Sequence, residues 1–383
     1  MTSNFFLLSS LFALTACPGS PHSLASGVEA AAAGGDLAVA DSTSGCPEGT
    51  HATDDGRCGS DLILSRSTQT ITPARNHHTT VIAQPGQGAF LYVLGGTDSW
   101  QSVIFSDVQR AQIMDDGSLA PFQKVGDLPE PLSGHTTVVV DNHLVVAGGV
   151  TDFVTSREVA STFVAILNAD GSLGAWSAGP DLPEPAMHHT CNVNASDIYC
   201  IGGRKDGNYT TDLAVRTRLR PDGTLTPYQA VTPLPSTRGF HEAFIEKGAL
   251  YVVSGLRRDP PMADFQYLTD ALRAPLADDG SLGAWQVAGD LPDTRQVASV
   301  SVLAGRAYFL GGMNGDDAMV DTILAASFGA DGAIAVVDVL SAKLSVARAH
   351  VHQTPIYRHW IYSVGGMLAN GSPTGIIDVG TFD

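Results

Sequence analysis

The chain has 383 residues, 41 of them glycine and 21 proline, and only 16% are charged. This composition fits an ordered all-β body rich in tight turns, and the length allows one large domain. A formal charge of −18, with only 4 lysines among 21 basic residues, argues against nucleic acid as a partner, and no apolar stretch reaches the ~18 residues of a spanning helix.

From the N-terminus, the run from Phe5 to Leu14 is a short apolar segment of the export-signal type, too short to span. It ends in Leu14-Thr15-Ala16-Cys17, which resembles a bacterial lipobox. That resemblance implies a signal peptide over residues 1–16 and lipidation of Cys17. It also implies anchoring at the cell envelope, with Pro18 permitting transfer to the outer membrane and the domain facing the periplasm or the exterior. The start, Met1-Thr2-Ser3-Asn4, departs from the pattern by lacking Lys or Arg. Residues 17–60 are rich in Pro, Gly, Ala, Ser and Asp, with no Lys or Arg before Arg57, and read as a disordered tether. Within it Cys46 and Cys58 bracket a small Asp/Gly loop, expected to close by a disulfide in an oxidising compartment.

Residues 61–383 are organised by repetition. Six apolar runs end on a small pair at Gly95-Gly96, Gly148-Gly149, Gly202-Gly203, Ser254-Gly255, Gly311-Gly312 and Gly365-Gly366, with steps of 53, 54, 52, 57 and 54 residues. The second unit shows the expected design: strand a over 134–141, a turn at Asp141-Asn142, strand b over 143–149, strand c over 161–167, an Asp170-Gly171 turn, and strand d over 172–178. The turn pairs Val140 with His143, and onward to Thr137 with Val146. By the same register Cys191 and Cys200 of the third unit face each other, where a cross-strand disulfide can form; metal binding by this pair is the weaker alternative, because no second thiol pair accompanies it. Asp-Gly turns recur at Asp116, Asp222, Asp279 and Asp331, where a primed turn would need φ > 0, usually with an aromatic five residues after the glycine. They lack the alternating acidic ligands of a calcium loop.

The pattern resembles kelch repeats, through the aromatic-apolar runs, the Gly-Gly pairs, the downstream Trp, and openings such as Arg75-Asn-His-His78, Arg238-Gly-Phe-His241 and Arg348-Ala-His350. The resemblance implies an all-β, six-bladed β-propeller with four antiparallel strands per blade. The last unit stops after strand c, so the segment 61–71 is expected to supply the missing strand d and close the ring.

Candidate site residues follow from register. Four positions after the Leu or Ile that precedes each strand a (Ile71, Leu128, Leu182, Leu234, Leu291, Leu344), four of the six units carry Arg75, Arg238, Arg295 and Arg348; seven after, four carry His78, His135, His189 and His241. With strand a innermost, as in kelch propellers, these crowd one mouth of the channel. They suit an anionic or polyhydroxyl ligand, or else tether neighbouring loops in every blade. His77, His188, His350 and His352 lie nearby, but consecutive histidines in a strand point to opposite faces and cannot share a metal. Asymmetry lies in the b–c loops, where the longest insert carries Arg257, Arg258, Phe265 and Tyr267. A recognition or scaffolding module for a protein or glycan is expected, monomeric, without cofactor or metal, and touching the membrane only through its lipid. The alternative resembles the periplasmic six-bladed kelch epimerase of sialic acid: Arg238, Arg295 or Arg348 would bind a sugar carboxylate, and His241 or Glu242 would move a proton.

Overall fold

Strand b of every repeat is apolar on both faces, and that dictates the architecture. In the first repeat Leu91 and Val93 pack into one cluster with Tyr362 and Val364 of the sixth, while Tyr92 and Leu94 pack into another with Leu144 and Val146 of the second. A strand alternates its side chains between faces, so each sheet is sandwiched and fills two different cores. Six such clusters are found, one at each junction between neighbouring sheets. The computed structural model describes residues 50–52, 58–60, 62–98, 103–155, 157–206, 208–261 and 264–382. Cys17, Cys46 and the side chain of Cys58 lie outside the described residues, as do the expected leader and most of the tether.

Among the described residues there are six four-stranded antiparallel sheets, arranged as the blades of a propeller. Blade 2 holds strands a to d over Thr136–Val140, His143–Ala147, Thr162–Leu167 and Leu173–Ala178. The expected register holds throughout its hairpin, from Val140 opposite His143 to Thr137 opposite Val146. Blade 6 is completed from the far end of the chain: Ile63–Arg66 pairs antiparallel with Ile377–Thr381, Leu64 lying opposite Gly380. Leu62 anchors this closure in the core between blades 5 and 6, with Tyr308, Ile361 and Phe382. A separate two-stranded ribbon, Thr50–Ala52 with Cys58–Ser60, precedes the ring.

The Gly-Gly pairs are blade junctions. A Cβ on Gly95, where φ is +58°, would sit 2.4 Å from the carbonyl oxygen of Leu132 in the next blade, so glycine is required by both conformation and space. The second glycine, Gly96, donates its N–H to that same carbonyl (2.8 Å), and Gly149, Gly203, Gly312 and Gly366 repeat the bond to Ala186, Arg238, Arg348 and Arg75. At the one Ser-Gly junction, the Ser254 hydroxyl accepts from the Arg295 amide instead, at 2.6 Å.

The Asp-Gly turns differ from expectation. Only the glycine takes positive φ, near 80° at Gly117, and Gly117 N–H donates to Met114 while Met114 N–H donates to Ser118. This is a three-residue loop ending in a left-handed glycine rather than a two-residue primed turn. The aspartate caps it, Asp116 accepting from the Ser118 amide at 3.0 Å. The glycine carbonyl, left facing the neighbour, accepts from a buried strand-b tyrosine of the preceding blade: Tyr92 to Gly171, Tyr199 to Gly280, Tyr251 to Gly332 and Tyr362 to Gly117, all within 2.9 Å. Turn and aromatic run are therefore two halves of one latch.

Three outcomes are expected in denaturant unfolding. Leu62→Ala should lose about 2–4 kcal/mol, whereas Ile63→Ala, exposed on the same closing strand, should change stability by less than about 0.5 kcal/mol. Tyr199→Phe should cost about 1–3 kcal/mol, because it leaves a buried carbonyl unpaired.

Candidate functional site

Strand a of each blade lies innermost, and the residue six positions after each marker Leu or Ile turns its backbone into the left-handed region. His77, Gly134, His188, Phe240, Val297 and His350 all have φ between 44° and 61°. This conformation aims each N–H at the carbonyl of the preceding blade's equivalent residue: Gly134 to His77, His188 to Gly134, Phe240 to His188, Val297 to Phe240, His350 to Val297, and His77 back to His350, all at 2.8–3.3 Å. Six hydrogen bonds thus close a ring around the axis. Its side chains are left at the mouth, where the His77 ring lies 4.0 Å from His350 and 5.0 Å from His188, and His188 stacks on Phe240 at 4.2 Å and on His352 at 5.0 Å.

The expected Arg and His sets do not share this mouth. Each arginine clips the opening of its blade to strand c of the same blade. Arg75 donates to both oxygens of Asp107 (2.9 and 3.0 Å) and to the Gly95 carbonyl, Arg238 to both oxygens of Asp270 (2.9 and 2.7 Å), and Arg348 to Asp378 at 2.7 Å and Ser363. Arg295 finds Thr322 at 3.1 Å and the Thr294 carbonyl. The four arginines are buried, so their forks are filled by the fold's own acceptors. The histidines at the seventh position wedge between blades: His78, His135, His189 and His241 each face the first glycine of the preceding blade. Of these, His135 bonds Thr79 at 3.0 Å and His241 bonds Thr190 at 3.1 Å.

Below the mouth lies an axial cavity of ≈ 140 Å³, lined among others by His188, His189, His241, Glu242, Asn192 and His352. Gln353 reaches across it, accepting from the Thr80 amide (3.2 Å) and donating to the Thr137 carbonyl (2.7 Å), so free edges of strands a in blades 1 and 2 are paired from blade 6. Glu242 is buried on the cavity wall, and burial holds its carboxyl well above the usual range. Cys191 and Cys200 form the expected cross-strand disulfide in blade 3, packed in the core between blades 2 and 3. As a disulfide the pair offers no thiolate to a metal.

The rim is asymmetric. The b–c loops of blades 3 and 4 form two short ribbons, Arg204–Lys205 with Tyr209–Thr210 and Leu256–Arg257 with Gln266–Tyr267. They are joined by the Thr210 amide donating to the Arg258 carbonyl at 2.9 Å. The Arg258 guanidinium lies against both the Tyr209 ring (5.4 Å) and the Phe265 ring (5.0 Å). Arg257 pairs with Asp259 yet keeps 38% of its side chain exposed, and Tyr267 extends the rim to Asp317 of blade 5 at 2.6 Å.

A family model for the KLHDC2/KLHL20/DRC7 Kelch-repeats domain matches residues 76–312, more than half of the sequence. The chain belongs to the kelch-repeat family. Two curated proteins are similar: Tip elongation aberrant protein 1 of Schizosaccharomyces pombe, 25% identical over 50% of this chain, and Kelch-like protein terF of Aspergillus terreus, 24% identical over 66%. The kelch chain matches 17% and 53% of those relatives' own lengths. Among solved structures, one titled "Structure of YjhT" superposes with a TM-score of 0.61 at 12% identity, over 80% of this chain and 95% of that one. At such identity the likeness concerns the fold.

In this kelch propeller, register alone missed the axial cluster of His77, His188, His350 and His352, since all four have a left-handed backbone that breaks the strand alternation assumed for neighbours. The available signal was the recurrence of His, Gly and Phe at one register, where a single conformation had to suit all.

Burial, then neighbouring His352 and His189, push His135 down to about 3; burial, then Arg238, do the same to His241. In the unfolded chain imidazole titrates near 6.5, so unfolding takes up protons below that pH, and stability present above it is lost as pH falls from about 6.5 towards about 3. Each histidine contributes roughly 1.4 kcal/mol per pH unit in this window. Glu242 runs the other way, since acidification recovers the cost of holding it neutral. The urea midpoint should therefore fall steeply between about pH 6.5 and 5, and His135→Asn should flatten that slope by about one proton; a midpoint independent of pH would refute the assignment.

Proposed function

We propose that this kelch propeller is a monomeric protein-recognition module of the bacterial cell envelope, docking its partner on the rim of blades 3 to 5. The observation that carries this reading is the joined pair of ribbons, which presents Arg257, Arg258, Phe265 and Tyr267 on a rigid ring. Arginine and tyrosine on a preorganised frame are the residues that dominate protein interfaces. Envelope anchoring through Cys17 is supported by the lipobox-like Leu14-Thr15-Ala16-Cys17 and by the Cys191–Cys200 disulfide, which persists where the compartment is oxidising. The acidic-sugar reading rests on buried Glu242, whose carboxyl burial holds well above the usual range, beside His241. It is the weaker one, because ≈ 140 Å³ falls short of the roughly 300 Å³ of small-molecule pockets and the arginines needed for a carboxylate already hold aspartates.

A photo-crosslinking amino acid placed at Tyr267 in the producing bacterium should yield one discrete protein adduct, lost in Arg257→Glu/Arg258→Glu. The same group at Asn142, on the opposite face, should yield none. No adduct from the rim, or thermal stabilisation of the purified chain by sialic or uronic acids, would overturn the rim reading. Cys17→Ala should move the protein from the membrane to the soluble fraction and abolish fatty-acid labelling.

A further inference from the structure

The ring of left-handed residues brings the imidazoles of His77 and His188 to the axial mouth, where His352 of blade 6 meets them. His77, His188 and His352 each place a ligand nitrogen so that all three lie within 4.8 Å of one another. The ring centroids of His77 and His352 are 5.6 Å apart. Tetrahedral coordination at about 2.0–2.1 Å needs nitrogens roughly 3.3–3.4 Å apart, a contraction within reach of small side-chain rotations. We infer that His77, His188 and His352 form a tri-histidine site for one divalent transition-metal ion of the zinc, nickel or copper class.

Three independent observations converge on this assignment. His188 is only 2% exposed, yet neither of its ring nitrogens has a hydrogen-bond partner, and the Nε2 atom of His352 is likewise buried without one. Leaving such atoms unmet costs about 1–3 kcal/mol each, which coordination to an ion would offset. Second, Nδ1 of His77 lies against Oδ1 of Asn76, the outer contact that orients a ligating imidazole. Third, the surroundings limit competition from water: Phe240 stacks on His188, and Phe153 stands edge-on to His77 at 6.0 Å. His352 is partly exposed, which leaves a way in. Arg204, whose charge is felt at His77 and His188, is paired with Glu158 at 3.3 Å, which reduces its repulsion of an incoming ion. An all-imidazole set favours these metals over calcium or magnesium, which take oxygen ligands. Three protein ligands would leave a fourth position for water or for a side chain presented at the mouth.

The test uses the full chain, tag removed and dialysed against chelator, titrated with Zn²⁺, Ni²⁺ or Co²⁺ in a calorimeter, with Mg²⁺ as control. One equivalent per chain should bind, Co²⁺ should give the visible absorption of a tetrahedral nitrogen site, and Mg²⁺ should not compete. His188→Gln and, separately, His352→Gln should weaken binding by more than the roughly 10–100-fold expected for the outer-contact variant Asn76→Ala, with circular dichroism unchanged. His143→Gln, on the opposite face, should bind as the parent does. Absence of saturable binding, or equal affinity in correctly folded His188→Gln or His352→Gln, would overturn the assignment; should one variant misfold, the other decides.

Discussion

No blade of this protein can bury its own central strand. Leu91 and Val93 need blade 6, and Tyr92 and Leu94 need blade 2, so each sheet depends on both neighbours and the last depends on the first. An open array would leave an apolar face bare at each end, at about 25 cal/mol for every Å² of apolar surface exposed. Closure by Ile63–Arg66 beside Ile377–Thr381 is the solution to that constraint. The polar latches serve the same end: the second glycines, the strand-b tyrosines and the left-handed ring all bond from one blade to the next.

The functional consequence is a separation of roles among residues that look alike in sequence. Arg75, Arg238 and Arg348 share a register and a task, holding a loop onto Asp107, Asp270 and Asp378. Histidines one residue apart diverge entirely: His189 wedges against Gly148 of the preceding blade, while His188 turns to the axis. What repeats in every blade is architecture. What occurs once, and carries the proposed roles, is the insert around Arg258 and the meeting of three imidazoles at the axial mouth.

Much of the frame was legible in the chain. The hairpin register of blade 2 and the facing of Cys191 and Cys200 followed from a two-residue turn and equal loop lengths, both local quantities. The Asp-Gly loops were located correctly, but their conformation was not, because Asp-Gly suits both a primed turn and a type I turn closed by a left-handed glycine; the tyrosine of the adjacent blade, which takes the glycine carbonyl, is some 80 positions away. The arginine forks were legible as arginines but not as filled forks, since their aspartates lie about 30 residues downstream on strand c.

By itself, then, the sequence determined the repeat, the number of blades, the strand pairing within each and the strand that seals the ring, because all of these rest on periodicity and short turns. Only the tertiary structure decided which side chains meet: that the arginines are spent on the fold, that Gln353 of blade 6 bonds strands a of blades 1 and 2, and that His77, His188 and His352 converge. The reason is geometric. Residues more than a hundred positions apart are brought together by the rotation between blades and by a left-handed backbone at one register, and neither leaves a mark in local composition.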